Sequence, residues 1–371
     1  QQENHEVFGL SKETSSKDFL KKCDIIIINS CTVKNPTQDK FFSYINAVKK
    51  EFPHIKFILA GCIPQASPNL EGLSSFSRLG VEQLSKINEM ISGCVKGEIM
   101  DISSREELFL RKVFPQLRAK NHIGIVPILS GCLGNCSYCK TKQARGWLKS
   151  RSSKEICEEI TFGLSQGIKE FWLVSEDNGA WGKDKNSRFV DLLKDVSVVL
   201  EKYPDCRVRI GMMNHQFVLE YIDELNELLK NSCFFNFLHI PIQSGSDNVL
   251  SNMNRKYNVK EIYSCVNGLR SVHKHIRLST DIICGFPSET NDDWNATMSV
   301  LKDLNFSAIN ISKFYPREGT LASKMKLLPT EIVKSRSKEL NDWFEKQNNN
   351  EYWVGKLLDV LVDEIDYDNN L

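Results

Sequence analysis

Three cysteines within one short segment constrain this chain more than any other feature. Cys132, Cys136 and Cys139 have the spacing C-x3-C-x2-C. Each iron of a cubic 4Fe-4S cluster takes one thiolate, so three thiolates on one loop can hold three corners of the cube. The fourth iron is then left without a protein ligand and can bind a small molecule. The spacing therefore predicts an iron–sulfur cluster with one open coordination position.

Two other uses of the cysteine triplet are possible. Structural zinc normally takes four ligands, often as two separated pairs. No further Cys or His follows Cys139 within ten residues, although His122 lies ten residues before Cys132. Three inert thiols this closely spaced would be unusual. The pattern therefore favours an iron–sulfur site over zinc or buried free thiols.

The bulk properties are those of a globular protein. The chain has 371 residues, 41% hydrophobic and 26% charged, which suffices for two or three domains. No run of eighteen apolar residues occurs, so we expect no membrane-spanning helix. The net charge of +1 means that any nucleic-acid contact needs a local basic patch.

Cysteine usage and the chain start bear on location. Twelve cysteines without a secretory signal predict a reducing, intracellular compartment, the cytoplasm first, with an organellar or membrane-tethered form left open. The chain begins with Gln1 instead of Met, so we expect a fragment.

The first part of the chain reads as an α/β domain. Apolar runs at 24–29 and 55–60 predict parallel strands, with helices at 37–51 and 82–91. This β-α-β pattern predicts a doubly wound, flavodoxin-like domain over 1–105. Cys31 and Cys62 follow the two strands, where parallel sheets place their sites, so we expect them to be ligands of one site. The alternative is that both are small core residues.

The second part alternates strands and helices. After a linker at 106–120, we expect a partial β/α barrel over 121–350, with the cysteine triplet after its first strand, where barrel active sites lie. Residues 351–371 resemble the first strand of a further β-domain. The predicted barrel strands are 122–129, 169–174, 206–211, 235–242, 277–284 and 307–314. Cysteines predicted to be core residues are Cys94, Cys157, Cys206, Cys233, Cys265 and Cys284.

Polar groups beside glycines follow other barrel strands. Ser175 and Glu176 follow the second, Gln243 and Ser244 the fourth, and Asp281 lies on the fifth. Their position on the active face predicts contacts to a charged cofactor, for which Glu176 or Ser175 would hold an ammonium group. Tyr138 precedes Cys139 and is expected to cover the cluster. The alternatives are ordinary capped turns and packing.

A basic segment follows the cysteine triplet directly. It contains Trp147, no acidic residue and five cations, which are Lys140, Lys142, Arg145, Lys149 and Arg151. Cations beside an aromatic ring suit a phosphate backbone and a base to stack, so we expect this segment to bind RNA. The alternative is a solvated basic face.

These motifs resemble the methylthiotransferase branch of the radical S-adenosylmethionine (SAM) enzymes. Residues 138–146 are similar to the archaeal and eukaryotic type, which acts on threonylcarbamoyladenosine in tRNA. The motifs that carry the resemblance are Asn29–Cys31, Ala60–Cys62, the cysteine triplet, Ser175–Asp177, Pro241–Ser246, Thr280–Pro287 and Phe314–Arg317.

The resemblance implies a set of cofactors and partners. It implies a 4Fe-4S cluster on the triplet that binds SAM, and an auxiliary 4Fe-4S cluster in the N-terminal domain that includes Cys31 and Cys62. It also implies a C-terminal TRAM domain for tRNA, the tRNA anticodon loop as substrate, an electron-donor protein and a monomer. The reaction would place a methylthio group on carbon 2 of the adenine by a radical route.

The chain departs from the family pattern in two places. The family's auxiliary cluster uses three cysteines, and no matching Gly-Cys precedes Cys31. Cys23 lies on the wrong side of the first strand, so we expect the missing ligand upstream of Gln1. His215 stands where the family usually has proline, with little expected consequence.

Two alternative functions remain. One is a bacterial-type methylthiotransferase acting on isopentenyladenosine or a ribosomal protein. The other is a non-catalytic iron–sulfur protein that binds RNA.

Overall fold

The computed structural model describes residues 6, 17–31, 35–103, 123–347 and 354–357, with only the backbone of 35–39. Contacts divide the chain into two units, Gln1–Lys112 with Cys139–Gly146, and Val113–Tyr138 with Trp147–Leu371. The predicted linker at 106–120 lies outside the described residues, as does most of 351–371, so the domain limits and the TRAM domain stay predictions.

The first unit contains a parallel sheet with helices between its strands. Apart from short 3-10 turns, its elements are α1 (Lys17–Leu20), β1 (Ile25–Ser30), α2 (Asn35–Glu51), β2 (Lys56–Gly61), α3 (Cys62–Ala66), β3 (Ser77–Leu79), α4 (Ile87–Lys96), β4 (Asp101–Ile102) and α5 (Thr141–Arg145). The described strands lie in the order β1-β2-β3-β4, all parallel. The predicted β-α-β pattern is confirmed.

Strand β2 is buried on both faces, as expected for a doubly wound sheet. Phe57 and Leu59 pack with the helix α2 residues Phe41 and Ile45. The alternate residues Ile58 and Ala60 pack with Met90 and Cys94 of α4 on the other face. The helical spacing of apolar residues in α2 thus covers one side of the strand, and α4 covers the other.

The second unit is a β/α half-barrel. Its elements, again without 3-10 turns, are β5 (Ile123–Pro127), β6 (Leu129–Ser130), β7 (Lys149–Ser150), α6 (Ser153–Ser165), β8 (Glu170–Val174), α7 (Phe189–Leu200), β9 (Arg207–Ile210), α8 (His215–Glu220), α9 (Ile222–Leu228), β10 (Phe237–His239), α10 (Asp247–Asn252), α11 (Val259–Val272), β11 (Arg277–Cys284), α12 (Asn291–Leu304), β12 (Ala308–Lys313) and α13 (Thr330–Glu345).

Six parallel strands of this unit lie in chain order. The sheets β5-β8-β9 and β10-β11-β12 are joined by the Val208–Phe234 bridge and by a hydrogen bond from Met213 N to His239 O of 3.0 Å. The strands match the six predicted ones within a few residues, and the predicted partial barrel is confirmed. A right-handed β/α order places the carboxyl ends of all six strands on one face.

The two faces of the half-barrel differ in chemistry. Phe171 of β8 faces the helices, where a Cβ atom on Gly163 of α6 would lie 2.6 Å from its ring. The opposite, concave face carries Trp172, Arg209 and Phe237. The guanidinium of Arg209 lies 4.7 Å from the Trp172 ring centre and 4.6 Å from that of Phe237. The concave face is therefore aromatic and charged, whereas the outer face is apolar.

Capping boxes start three helices of this unit. Among the described residues, these boxes are formed by Ser152 with Glu155, Asn258 with Glu261 and Thr290 with Asp293. Each box satisfies two backbone donors at a helix start. Within the described ranges, no helix is long and apolar enough to cross a membrane.

Candidate iron–sulfur and radical site

The cysteine triplet lies on a loop that continues from β6, at the carboxyl end of the first barrel strand. Each of its sulfur atoms is close to an N–H donor. Gly134 N lies 3.2 Å from Cys132 Sγ, and Thr141 N lies 3.4 Å from Cys139 Sγ. Arg255 Nη1 lies 3.2 Å from Cys136 Sγ. N–H donors stabilise sulfur in its charged form, so this loop suits three thiolate ligands.

A turn after helix α10 fixes the first part of this loop. Ser137 N donates to Met253 O at 2.9 Å, and Ser137 Oγ donates to Asn252 O at 2.8 Å. Asn254 Nδ2 donates to Asn135 O at 2.7 Å. Asn254 has a φ of 56°, in the left-handed region that asparagine tolerates well. The loop is thus bound at three points to residues more than a hundred positions away in the chain.

Arg255 extends from the same turn toward the loop. Its Nε donates to Tyr257 Oη at 2.8 Å, and its Nη2 donates to Asn214 Oδ1 and to Pro241 O. Its remaining nitrogen, Nη1, faces Cys136 Sγ. Sequence reasoning did not identify Arg255, because nothing local marks a turn residue that reaches a site through tertiary contacts.

Asp177 lies behind Asn214. Asn214 N donates to Asp177 Oδ1 at 3.1 Å, and Asn214 Nδ2 donates to Asp177 Oδ2 at 2.6 Å. Burial raises the pKa of Asp177 to about 6, although the Asn214 hydrogen bonds and the charge of Arg255 oppose that shift. Asp177 therefore orients Asn214, which in turn holds Arg255.

His215 is a fully buried neighbour of this network. Its ring centre lies 4.4 Å from that of Tyr257, and neither ring nitrogen has a hydrogen-bond partner among the described residues. Burial, with a smaller effect of the Arg255 charge, lowers its pKa to about 3. The imidazole is therefore neutral at physiological pH.

The predicted cofactor residues at the ends of the second and fourth strands differ in whether their side chains could contact a cofactor. Ser175 Oγ bonds Asn178 Oδ1 and accepts from Asp177 N, so it closes the turn, while Glu176 beside it is partly buried. Gln243 has a φ of 64° and pairs its backbone with β11. Ser244 is completely buried against Thr297. Its hydroxyl is not positioned to contact a cofactor, so its predicted role does not fit.

Asp281 is held by two donors. His239 Nε2 lies 2.8 Å from Asp281 Oδ1, and Asn310 Nδ2 donates to the same oxygen at 2.7 Å. Burial alone would raise the pKa of Asp281, but the His239 and Asn310 hydrogen bonds, together with the charges of His239 and Arg255, outweigh it, and the net shift is downward. Asp281 therefore presents an ionised carboxylate on the concave face.

Strand β11 ends in a turn that is fixed to the last helix. Gly285 N donates to Glu289 Oε2 at 2.9 Å, and Arg336 Nη1 of α13 lies 2.6 Å from the same oxygen. Gly285 has a φ of 78°, and a Cβ atom there would lie 2.5 Å from Val333. These contacts fix the turn formed by the Gly-Phe-Pro-Ser-Glu segment against α13.

Tyr138 packs onto an apolar cluster under the cysteine loop. Its ring meets that of Phe286 edge to face at 6.5 Å, next to Val249, Met253 and Ala322. This contact suits both the predicted cover for the cluster and ordinary packing.

Cys31 and Cys62 follow paired residues of neighbouring strands. Ser30 of β1 is opposite Gly61 of β2, and the strands are parallel. Both cysteines therefore come directly after the same edge of the sheet. Cys31 is exposed and Cys62 is partly exposed, so both thiols are accessible.

The remaining cysteines have structural positions. Cys23 precedes β1, at the end opposite Cys31, and its Sγ donates to Phe19 O at 3.6 Å. Cys94, Cys206, Cys233, Cys265 and Cys284 are buried, as expected, whereas Cys157 is partly exposed beside the core. Burial raises the pKa of Cys233 to about 11 and those of Cys265 and Cys284 to about 12.

Two of the predicted RNA-binding cations are engaged in internal contacts. Lys140 is buried, and its Nζ donates to Ser67 Oγ at 2.6 Å. Arg151 is 5% exposed, with Nη1 2.6 Å from Glu159 Oε2 and 2.7 Å from Pro127 O. Neither side chain is positioned to meet a phosphate, which argues against tRNA contacts from these two residues.

The other members of the basic segment are closer to the surface. Lys142 and Arg145 lie on α5, and Lys149 lies on β7, all three partly exposed. Trp147 is 68% exposed, which is unusual for so large an apolar ring.

The residues present fit a thiolate-bound cluster. In the part of the chain that the structure describes, no three His, Cys, Asp or Glu side chains are grouped as a ready-made metal site. The fit rests instead on the donor chemistry, with three free thiols on one loop and an N–H group at each sulfur.

Known families match two parts of the chain. Residues 126–301 match the Radical SAM superfamily, and residues 5–77 match the uncharacterized protein family UPF0004. These ranges correspond to the half-barrel and to much of the N-terminal sheet. Among solved structures, the radical S-adenosylmethionine methyltransferase TsrM from Kitasatospora setae has a TM-score of 0.60 at 13% identity, covering 82% of this chain and 67% of that chain. This likeness concerns the fold alone.

Curated relatives match nearly the whole chain. The threonylcarbamoyladenosine tRNA methylthiotransferase of Drosophila melanogaster is 37% identical, covering 94% of this chain and 64% of the relative. The human protein of the same name is 36% identical, with coverages of 93% and 60%. A probable threonylcarbamoyladenosine tRNA methylthiotransferase of Pyrococcus horikoshii is 34% identical, with 92% and 80%. The chain therefore spans less than two thirds of the fly and human relatives.

Proposed function

Because the chain belongs to the threonylcarbamoyladenosine tRNA methylthiotransferase family of radical SAM enzymes, we propose that it transfers a methylthio group to carbon 2 of threonylcarbamoyladenosine beside the tRNA anticodon. The proposal is for the protein that carries this chain, since the chain spans 64% of the fly relative. One observation carries it, namely that every sulfur of the cysteine triplet lies beside an N–H donor.

The chemistry needs an activated intermediate because the adenine C2–H bond is neither acidic nor otherwise activated. When bound, a 4Fe-4S cluster and SAM supply an electron and a weak carbon–sulfur bond, from which a 5′-deoxyadenosyl radical is released. Cys132, Cys136 and Cys139 would hold the irons, and Gly134 N, Thr141 N and Arg255 would stabilise their thiolates.

The concave face supplies the remaining groups for SAM. Asp281 offers an ionised carboxylate to hydroxyl or ammonium donors, since its pKa is lowered and Oδ1 alone takes the His239 and Asn310 bonds. Glu176 is the second acidic candidate, and Ser175 shapes its turn. Gln243 and Tyr138 would line the pocket, with Tyr138 excluding water from the cluster.

The sulfur to be transferred requires a second site. Cys31 and Cys62 would contribute two ligands to an auxiliary 4Fe-4S cluster, because the paired strand ends bring their backbones to one sheet edge. A third cysteine, from the rest of the protein, would complete the ligands of this cluster.

The partners follow from the same chemistry. The tRNA anticodon loop is the substrate, with Lys142, Arg145, Lys149 and Trp147 as its contacts. An external protein supplies the electron, and the enzyme acts as a monomer. All twelve cysteines are free, which suits a reducing compartment such as the cytoplasm.

Cleavage of SAM tests the radical chemistry on which the proposed function depends. The reconstituted, reduced protein is expected to release 5′-deoxyadenosine, and Cys132→Ala, Cys136→Ala or Cys139→Ala is expected to abolish that release. Cys157→Ala is the matched control, because it removes a partly exposed thiol remote from the loop in sequence. Undiminished release from a variant lacking all three loop cysteines would contradict the proposal. A loaded cluster without SAM cleavage would instead favour a non-catalytic iron–sulfur protein.

A further inference from the structure

The guanidinium of Arg255 is held in one orientation by neutral groups. Tyr257 Oη accepts from Nε at 2.8 Å, Asn214 Oδ1 accepts from Nη2, and Pro241 O lies 3.3 Å from Nη2. The Tyr257 ring lies against the guanidinium, 4.9 Å from its central carbon. The remaining nitrogen, Nη1, donates toward Cys136 Sγ, 3.2 Å away.

This cation has no carboxylate partner in the described part of the chain. None of the ion pairs among the described residues involves Arg255. Asp177 bonds Asn214 and not the guanidinium. Asp281, whose pKa the charge of Arg255 helps to lower, bonds His239 and Asn310 and not the guanidinium. A partly buried guanidinium without an adjacent anion is costly, unless a charged group completes its surroundings in the working protein. The Cys136 sulfur is the group in direct contact.

We propose that Arg255 is a positioning residue that orients Cys136 as a cluster ligand and raises the reduction potential of the cluster bound there. Reduction adds one negative charge to a cluster. A fixed positive charge and an N–H donor at one of its sulfurs stabilise that added charge. Outer partners that orient a metal ligand commonly tune the metal in this way. The inference rests on the cluster site of the proposed function but not on its tRNA substrate.

The position of Arg255 in the chain supports this role. Its turn also carries the three contacts to the cysteine loop, from Asn252, Met253 and Asn254. Movement of the turn would therefore displace the guanidinium and the loop together. The Asn214–Asp177 pair anchors the other side of the guanidinium to the ends of β8 and β9.

The test is an EPR-monitored redox titration of the reconstituted protein. A Cys31→Ser, Cys62→Ser background removes the proposed auxiliary site, so only the cluster on the triplet contributes. In this background, Arg255→Gln removes the charge and Arg255→Lys retains it. Arg270→Gln is the matched control, because it also removes a guanidinium that donates to backbone carbonyls, those of Leu304 and Asn305, away from the cysteine loop.

The expected result is a midpoint potential more negative in Arg255→Gln than in the parent, with most of the shift recovered in Arg255→Lys and none in Arg270→Gln. Loss of iron from Arg255→Gln but not from Arg270→Gln supports the orienting role, and the midpoint potential of Arg255→Gln is then measured on the fraction of protein that retains its cluster. An unchanged potential in Arg255→Gln overturns the inference. Weakened SAM binding with that unchanged potential would assign the guanidinium to SAM instead.

Failure of the proposed role of Arg255 can be distinguished from failure of the proposed function. A parent protein that assembles no cluster on the triplet contradicts the proposed function itself. An assembled, SAM-responsive cluster whose potential ignores Arg255 contradicts only the role of this residue. An equal shift in Arg270→Gln would also overturn the inference, because it would reveal a general effect of lost stability.

Discussion

Ser30 and Gly61 are paired in register at the carboxyl ends of two parallel strands, and a cysteine follows each of them directly. Ser30 Oγ donates to Ala60 O at 2.6 Å and accepts from Ile63 N at 3.2 Å. Gly61 has a φ of 93°, and a Cβ atom there would lie 2.5 Å from Ser30 O. These contacts fix the backbone just before both thiols.

Replacing these cysteines is expected to separate sulfur transfer from radical generation. Cys31→Ser or Cys62→Ser, made in the full-length protein, should stop methylthiolation of tRNA while SAM cleavage continues, because the cysteine triplet is untouched. The two activities are measured on the same preparations. Cys23→Ser is the control, since Cys23 lies at the opposite end of β1. Normal methylthiolation by both variants would show that Cys31 and Cys62 are surface thiols without a role in sulfur transfer.

The exposed ring of Trp147 and the nearby Lys149 are expected to contribute to tRNA binding. Trp147→Ala should weaken binding by about 1–3 kcal/mol if the ring stacks on a base. Lys149→Ala should reduce the slope of log affinity against log salt by about one unit, because one phosphate contact is lost. Lys154→Ala is the control, with a side chain 84% exposed a few residues further on. Equal affinities and equal salt slopes for all variants would indicate that this segment is a solvated basic face without contacts to tRNA.

Arg336 and Glu289 form a buried ion pair with side chains 6% and 1% exposed. Arg336→Met leaves the Glu289 carboxylate buried without its cation, which typically costs about 3–5 kcal/mol of stability. Arg188→Met breaks the exposed pair with Glu224 and should cost at most about 1 kcal/mol. Thermal unfolding midpoints of the two variants compare these costs. A smaller loss for Arg336→Met than for Arg188→Met would show that the buried pair does not hold the turn after β11.

His215 is expected to make the protein less stable in acid. Its pKa is about 3 in the folded protein, against 6.5 for the free side chain. Below about pH 6.5 the unfolded chain therefore binds a proton that the folded protein refuses, and stability falls by up to about 1.4 kcal/mol per pH unit from this group. Asp177 acts in the opposite direction, because its raised pKa of about 6 favours the folded state as pH falls.

The variant His215→Leu isolates this effect. It removes two ring nitrogens that lack partners in the described residues, so stability at pH 7.5 should be unchanged or higher. Between pH 6.5 and pH 5, its unfolding temperature should fall less steeply than that of the parent. Parallel pH profiles for the two proteins would contradict the neutral, buried state of His215.

Periodic features were predictable from the sequence. The strands at Ile25–Ser30 and Arg277–Cys284 follow from apolar runs, and the cysteine triplet follows from spacing alone. Such patterns are local, so they survive without knowledge of the tertiary contacts. The resemblance to the methylthiotransferases rested on the same segments, and the relatives confirm it.

Tertiary partners were not predictable. A run of cations does not reveal that Arg151 meets Glu159 or that Lys140 reaches Ser67. Likewise, the position of Ser244 beside a glycine does not reveal that its side chain is buried and bonded to Thr297. Arg255 was missed for the converse reason, because a residue of a plain turn becomes part of the site only through contacts with Asn214 and Cys136.

Nucleoside analysis of tRNA after turnover identifies the nucleoside that the enzyme modifies. The full-length, reconstituted protein is incubated with SAM, reductant and either threonylcarbamoyladenosine-containing tRNA or the same tRNA lacking that modification. The Cys136→Ala variant serves as the inactive control. We expect 2-methylthio-threonylcarbamoyladenosine from the first tRNA only, and none from the variant. Equal methylthiolation of both tRNAs, or of isopentenyladenosine-containing tRNA in preference, would contradict it.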